Sequence, residues 1–175
     1  MAAVLRDGDS LPLNLSAGMI VAFKSDKLDL IGIHRGEDDD HSLEFFNKDD
    51  NMTLCIIFRR GHDKVFFNDM DHQQLYLEVW GVEQSVRLDP ADLDKWRSGV
   101  TISVHDCSTR SSEQYQILFD LTTVLNFRKK FLGPATYVVY RGGDPPLPLS
   151  DTLRVSSYKL DDLPLAERQA MVSRT

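Results

Sequence analysis

Only two cysteines occur among the 175 residues, Cys55 and Cys107, so no disulfide framework can carry this fold, and free thiols are expected at both positions. Long apolar runs are missing too. They break off within about eight residues, far short of the roughly 20 that a membrane helix needs, so no membrane insertion is expected. Positive charge is in deficit, with 20 Lys and Arg against 27 Asp and Glu for a net charge of −7. A nucleic-acid or anionic-membrane surface needs a basic patch to neutralise phosphates, so no nucleic acid is expected as a partner. The N-terminal stretch MAAVLRDGDSLPLNLSAG lacks a basic segment leading into an apolar core and a cleavage site. Cytoplasmic synthesis is therefore expected, with a non-classical route the alternative should the protein be exported. Helical periodicity is nearly absent, which argues against an all-α or alternating α/β architecture.

What is present is a succession of short apolar or alternating runs separated by turn residues. With 42% apolar and 27% charged residues, the chain has the composition of a globular domain large enough to bury a core. Strands are predicted at 11–15, 19–23, 28–34, 42–47, 53–59, 64–68, 75–80, 83–87, 100–105, 114–120, 124–128, 137–140 and 153–158. About a dozen such strands without intervening helices point to an all-β fold, an antiparallel β-sandwich of two sheets. One short helix is predicted at Asp89 to Arg97, where Pro90 suits a first helical position. Trp96 within it reads as core. A single domain over residues 1–160 is expected, followed by a tail at 161–175 that reads as either a short amphipathic helix or a disordered end.

Chemistry concentrates between Thr53 and Glu83. Side chains alternate across a strand, so Leu54, Ile56 and Phe58 should face the core, with Thr53, Cys55, Ile57 and Arg59 on the open side. Asn68 and Phe66 share a face in the next strand, and Trp80 and Glu83 follow beyond a loop. A sugar ring offers a face of C–H groups and a rim of hydroxyls, so its receptor needs a flat aromatic surface and fixed polar forks. Trp80 can supply the surface. Arg59 held by Glu83 would make a rigid fork of donors beside a carboxylate acceptor, and the Asn68 amide both donates and accepts.

These residues resemble the galectin carbohydrate-recognition domain, most closely that of fungal galectins. There, a strand of the form His-x-(Asn or small)-x-Arg is followed by Asn nine residues on, then by Trp, then by Glu three residues further. Arg59, Asn68 and Trp80-Gly81-Val82-Glu83 match that pattern, and FRRGHDKVFFND, GVEQSV, VTISVHD and SEQYQILFD resemble the surrounding strands over roughly Leu11 to Tyr158. The resemblance implies a jelly-roll, concanavalin-type sandwich and a non-catalytic lectin. Its partners would be glycans of glycoproteins, glycolipids or free oligosaccharides, with homo-oligomers as in the family. Departures are as specific as matches: Cys55 stands at the histidine that receives the axial hydroxyl of galactose, Ile57 at the Asn or small residue, and Ser85 at a second arginine. Losing such partners costs about 1 to 3 kcal/mol per buried unpaired group. The expected ligand is therefore an altered β-galactoside or an N-acetylglucosamine-type β-linked oligosaccharide. The alternative is an interaction module that has lost sugar binding, using Ile57 and Phe66 as an apolar contact.

Other constellations read as structural. His105-Asp106-Cys107 fits a strand end, and Glu37-Asp38-Asp39-Asp40-His41 a solvated loop, because the spaced Asp, Gly and Glu of a calcium loop are absent. No metal or cofactor is expected. Glycoside hydrolysis needs two carboxylates flanking the bond, and in the sequence Glu83 has no evident partner on its face, so no enzyme activity is expected.

Overall fold

The computed structural model describes residues 2–33, 35, 36, 40–72 and 78–172. Among these, β1 (Ala2–Arg6), β13 (Thr152–Lys159), β3 (Met19–Ser25), β9 (Val100–Asp106), β10 (Gln114–Phe119) and β11 (Thr122–Arg128) lie side by side in that order as one sheet. The other runs β2 (Ser10–Leu15), β12 (Ala135–Arg141), β4 (His41–Phe46), β5 (Met52–Phe58), β6 (Lys64–His72) and β7 (Glu78–Trp80), with β8 (Gln84–Arg87) also paired to β6. All pairings are antiparallel. The expected two-sheet antiparallel sandwich is the observed one.

Alternation builds the core. Leu43 and Phe45 of β4, Leu54, Ile56 and Phe58 of β5, and Val65 and Phe67 of β6 are fully buried in the layer between the sheets. They meet Phe23, Ile102, Ile117 and Phe119 of the other sheet, with Phe23 edge-on to Phe45 at 5.8 Å between ring centres. Such edge-to-face contact suits the aromatic quadrupole.

Three expectations about strands need correction. Of the predicted strand 28–34, the described part makes a single bridge, Leu28 to Leu149; His34 lies outside the described residues. The Asp29 carboxylate accepts from the Ile31 N–H at 3.0 Å, and Gly32 has φ of 136°, so local capping and a glycine-only bend replace the ladder. Thr53 does not share the open face with Cys55. A register shift between Met52 and Cys55 turns Thr53 inward, where its hydroxyl accepts from the Tyr115 hydroxyl at 2.9 Å. A bulge re-aims one side chain in this way. β1 appears as an unpredicted strand, and its partner β13 comes from the far end of the chain. Positions 75–77 of the predicted strand 75–80 lie outside the described residues, and the remainder forms β7.

The helix is where the sequence places it. In α1 (Pro90–Trp96), Asp89 caps the N-terminus by accepting from the Ala91 N–H, as an N-cap carboxylate should. Trp96 is buried and donates its indole N–H to Asp120. Of the two readings of the tail, a helix is found. α2 (Leu165–Val172) buries Met171 against Ile20 and Leu118, and Gln116 donates to the Met171 carbonyl at 2.9 Å. Both cysteines are free.

Candidate functional site

The register of the seven-stranded sheet lays its outward side chains in rows. Tyr137, Phe46, Met52, Met70 and Trp80 form one row. Val139, Glu44, Cys55 and Asn68 form the next, and Arg141, Ser42, Ile57, Phe66 and Ser85 the third. Phe46, Met52, Cys55, Ile57, Phe66 and Met70 pack into a second buried apolar cluster, which floors this open face. Ile57, only 6% exposed, therefore lies under its neighbours instead of projecting into solvent.

At one corner of this floor Arg59 follows β5 directly and is gripped from both sides. Its Nε and Nη2 donate to the two Asp40 carboxylate oxygens at 2.9 and 3.1 Å, and Nη1 and Nη2 donate to those of Glu83 at 2.8 and 2.9 Å. The guanidinium lies 4.2 Å from the centre of the Phe66 ring. Hydrogen bonding to Glu83, opposed by partial burial and reinforced by Asp40, pushes the Arg59 pKa further above its already high value. A side-on fork to Asp40, an end-on fork to Glu83 and a ring alongside leave the guanidinium plane one orientation.

Asn68, nearly buried, accepts the Asp69 N–H on its side-chain oxygen at 2.9 Å, which fixes the amide. Burial raises the Asp69 pKa. Gly81 comes close beside it: a Cβ there would meet the Asp69 carboxylate, which would have to swing aside. That close approach, with the Gly81 N–H donating to the Asp69 carbonyl at 3.0 Å, folds the Trp80 to Glu83 segment back onto β6. Trp80 is 48% exposed whereas Trp96 is 2% exposed; the first indole faces the groove and the second fills core.

A second fork stands at the Arg141 side. Arg141 donates through Nε and Nη2 to Glu44 at 3.0 to 3.1 Å, and the Ser42 hydroxyl donates to the same carboxylate at 3.0 Å. Between the forks, burial and then the Glu44 charge hold the Cys55 thiol far above its usual pKa, so it presents a neutral S–H.

Arg59, Asn68, Trp80, Glu83, Cys55 and Ile57 together line a cavity of about 370 Å³. Ser85 does not: it sits exposed on β8, opposite Phe66 and outside that lining. Sequence reasoning missed Asp40, Ser42, Glu44 and Arg141, which complete it. Strand alternation could have found Ser42 and Glu44. Asp40 lay inside a stretch read as solvated loop, and Arg141 just beyond the predicted strand 137–140. Glu83 consequently has carboxylate neighbours on its face, contrary to expectation, but Asp40 and Glu83 share Arg59 and Glu44 is held by Arg141.

No protein-family model matches the chain. Solved structures do. A double variant of human galectin-16 superposes with a TM-score of 0.60 at 17% identity, over 90% of this chain and 99% of that one. A Caenorhabditis elegans galectin gives 0.57 at 12%, over 87% and 95%. The complex of toad ovary galectin with thio-digalactose gives 0.56 at 15%, over 90% and 98%. At such identities the likeness is one of fold: the protein has the galectin jelly-roll sandwich.

Proposed function

We propose that this protein is a non-catalytic lectin of the galectin type whose altered site binds a β-linked glycan, either a variant β-galactoside or an N-acetylglucosamine-type oligosaccharide. The observation that carries this reading is the Arg59 guanidinium locked between Asp40 and Glu83 beside Asn68 and a half-exposed Trp80. A pre-organised fork next to an aromatic face is what a sugar ring needs. Cys55 and Ile57, at the floor, give a galactose hydroxyl little or nothing to bond with, which is why plain lactose is not the favoured ligand. The kinship with fungal galectins rests on the residue pattern alone. Hydrolysis is disfavoured because the groove carboxylates grip arginines instead of flanking an open gap.

Partners of this reading are glycans on proteins or lipids, or free oligosaccharides; self-association is part of the same family resemblance. A second reading, a protein-interaction module that has lost sugar binding, is favoured by Cys55 and Ile57 standing where polar partners are expected, but not as a contact through Ile57 and Phe66, since these are only 6% and 8% exposed. A glycan array with the folded protein decides between them. The lectin reading expects signal on β-linked members that Trp80→Ala reduces at least about tenfold. An array without signal above background would sink it and leave the interaction reading.

A further inference from the structure

Trp80 borders two cavities. Beside the one that holds the Arg59 clamp lies another, of about 490 Å³, and the two share Glu44, Trp80 and Arg141. Its floor is Phe46, Met52 and Met70, all at most 9% exposed. Tyr137 forms a wall, its ring stacked on Phe46 at 4.9 Å and 10° and held by donation from its hydroxyl to the Asp50 carboxylate at 2.8 Å. The polar members are the carboxylates of Glu44 and Asp50, the Arg141 guanidinium and His72.

This lining differs from the first in kind. Its base is thioether and aromatic, its sides are two aromatic rings, and acceptors and donors alternate around the rim. A methyl group fits the floor, since sulfur and ring atoms give it dispersion contact without any polar group to leave unpaired. An amide N–H fits the carboxylates, and an amide carbonyl fits the guanidinium or the imidazole. Methyl, N–H and carbonyl are the three parts of an acetamido group. A sugar ring bearing it has C–H faces for Trp80 and Tyr137. A plain hydroxyl at the same carbon is too short to reach the apolar floor, so it forgoes both the methyl contact and the carbonyl's hydrogen bond.

From this we infer that the cavity between Trp80 and Tyr137 is a second ligand subsite, which takes a 2-acetamido sugar residue adjoining the one held at Arg59. The assignment rests on the lectin reading above and names which part of the groove reads the N-acetyl group. The continuity through Trp80 means that one oligosaccharide can occupy both cavities.

Calorimetric titration of the full chain with matched pairs that differ only in acetamido groups tests it: chitotriose against cellotriose, and N-acetyllactosamine against lactose. The acetamido member of at least one pair should bind about tenfold more tightly, from one buried methyl and one or two hydrogen bonds. Met70→Ser, and separately the half-buried Tyr137→Ala in case the first variant folds poorly, should cut that preference to about threefold or less. Equal affinity within both pairs would overturn the subsite and leave the lectin reading standing. Failure of every sugar to bind the folded protein would overturn both. An acetamido preference that survives both variants unchanged would place the N-acetyl group elsewhere and overturn this assignment.

Discussion

Lys129 and Arg59 are set on one plan and serve different ends. Each is a cation near two carboxylates with an aromatic ring close by. Lys129 donates to Asp106 at 2.9 Å, stands 3.7 Å from Glu113 and lies 4.9 Å from the centre of the Tyr115 ring; Arg59 has Asp40, Glu83 and Phe66 in the same relation. The difference is water. Side chains of the Lys129 and Asp106 pair are 1% and 2% exposed, whereas those of Arg59, Asp40 and Glu83 are 17%, 22% and 38% exposed. A buried pair is fixed in place by the cost of removing either partner. A half-exposed one contributes little to stability and keeps its polar atoms within reach of a ligand.

The largest expected effect lies on the buried side. Lys129→Met strands the Asp106 carboxylate out of water and should lower unfolding free energy by about 3 to 5 kcal/mol in urea titration, with glycan binding by the folded fraction unchanged. Adding Asp106→Leu to that variant should restore much of the loss, because a neutral pair leaves no uncompensated charge. If the single variant loses under about 1 kcal/mol, the two clamps do not differ as burial says they must.

Arg59→Met should invert the pattern. Stability is expected to change by about 1 kcal/mol or less, while affinity for any glycan that the array identifies should fall by at least tens-fold. Rescue by Arg59→Lys should be poor, since an ammonium cannot bridge two carboxylates in one plane. Retained binding in Arg59→Met would remove the clamp from the site.

The same contrast explains what could be read from the sequence. Arg59, Asn68, Trp80 and Glu83 were legible because strand period and short spacing fix their face, and the core set Leu54, Ile56 and Phe58 came from the same alternation. Asp40 was not, because its role depends on β4 lying next to β5, and nothing in an acidic run says which carboxylate will meet an arginine 19 residues on. Arg141 reaches Glu44 across 97 residues, and β1 finds its partner at the other end of the chain; both are products of topology. Thr53 was misplaced because one bulge reverses a parity count. Leu28 to Ile33 alternates like a strand, yet Asp29 and Gly32 bend it away from any continuous ladder.

Thr53 also joins the two regions. The Tyr115 ring that lies beside Lys129 sends its hydroxyl across the sandwich to the Thr53 hydroxyl on β5, and burial drives the Tyr115 pKa well up. Thr53→Val keeps the shape and leaves that phenol without its acceptor, so a loss of about 1 to 3 kcal/mol is expected in thermal or urea unfolding. Tyr115→Phe combined with Thr53→Val should be milder than Thr53→Val alone, because no donor is then stranded. A double variant as unstable as the sum of the singles would show that the bond is not what couples the sheets.

The smallest effect is a pH dependence confined to the buried side. His105 neighbours Asp106 on β9 and shares a 3.1 Å hydrogen bond with Gln116. Burial lowers its pKa below the usual 6.5, against the opposing pull of Gln116 and of the Asp106 charge. A base whose folded pKa is depressed binds fewer protons folded than unfolded in the interval between its two values, so stability rises with pH there and falls as the solution is acidified through it. Unfolding free energy should therefore decline as pH drops from 7 through 6.5, and His105→Gln should flatten that part of the profile. His105 lies on β9 of the six-stranded sheet and the groove on the seven-stranded one, so the variant should leave glycan affinity at pH 7 where it was. A profile equally steep with and without the imidazole would show that His105 does not carry the slope.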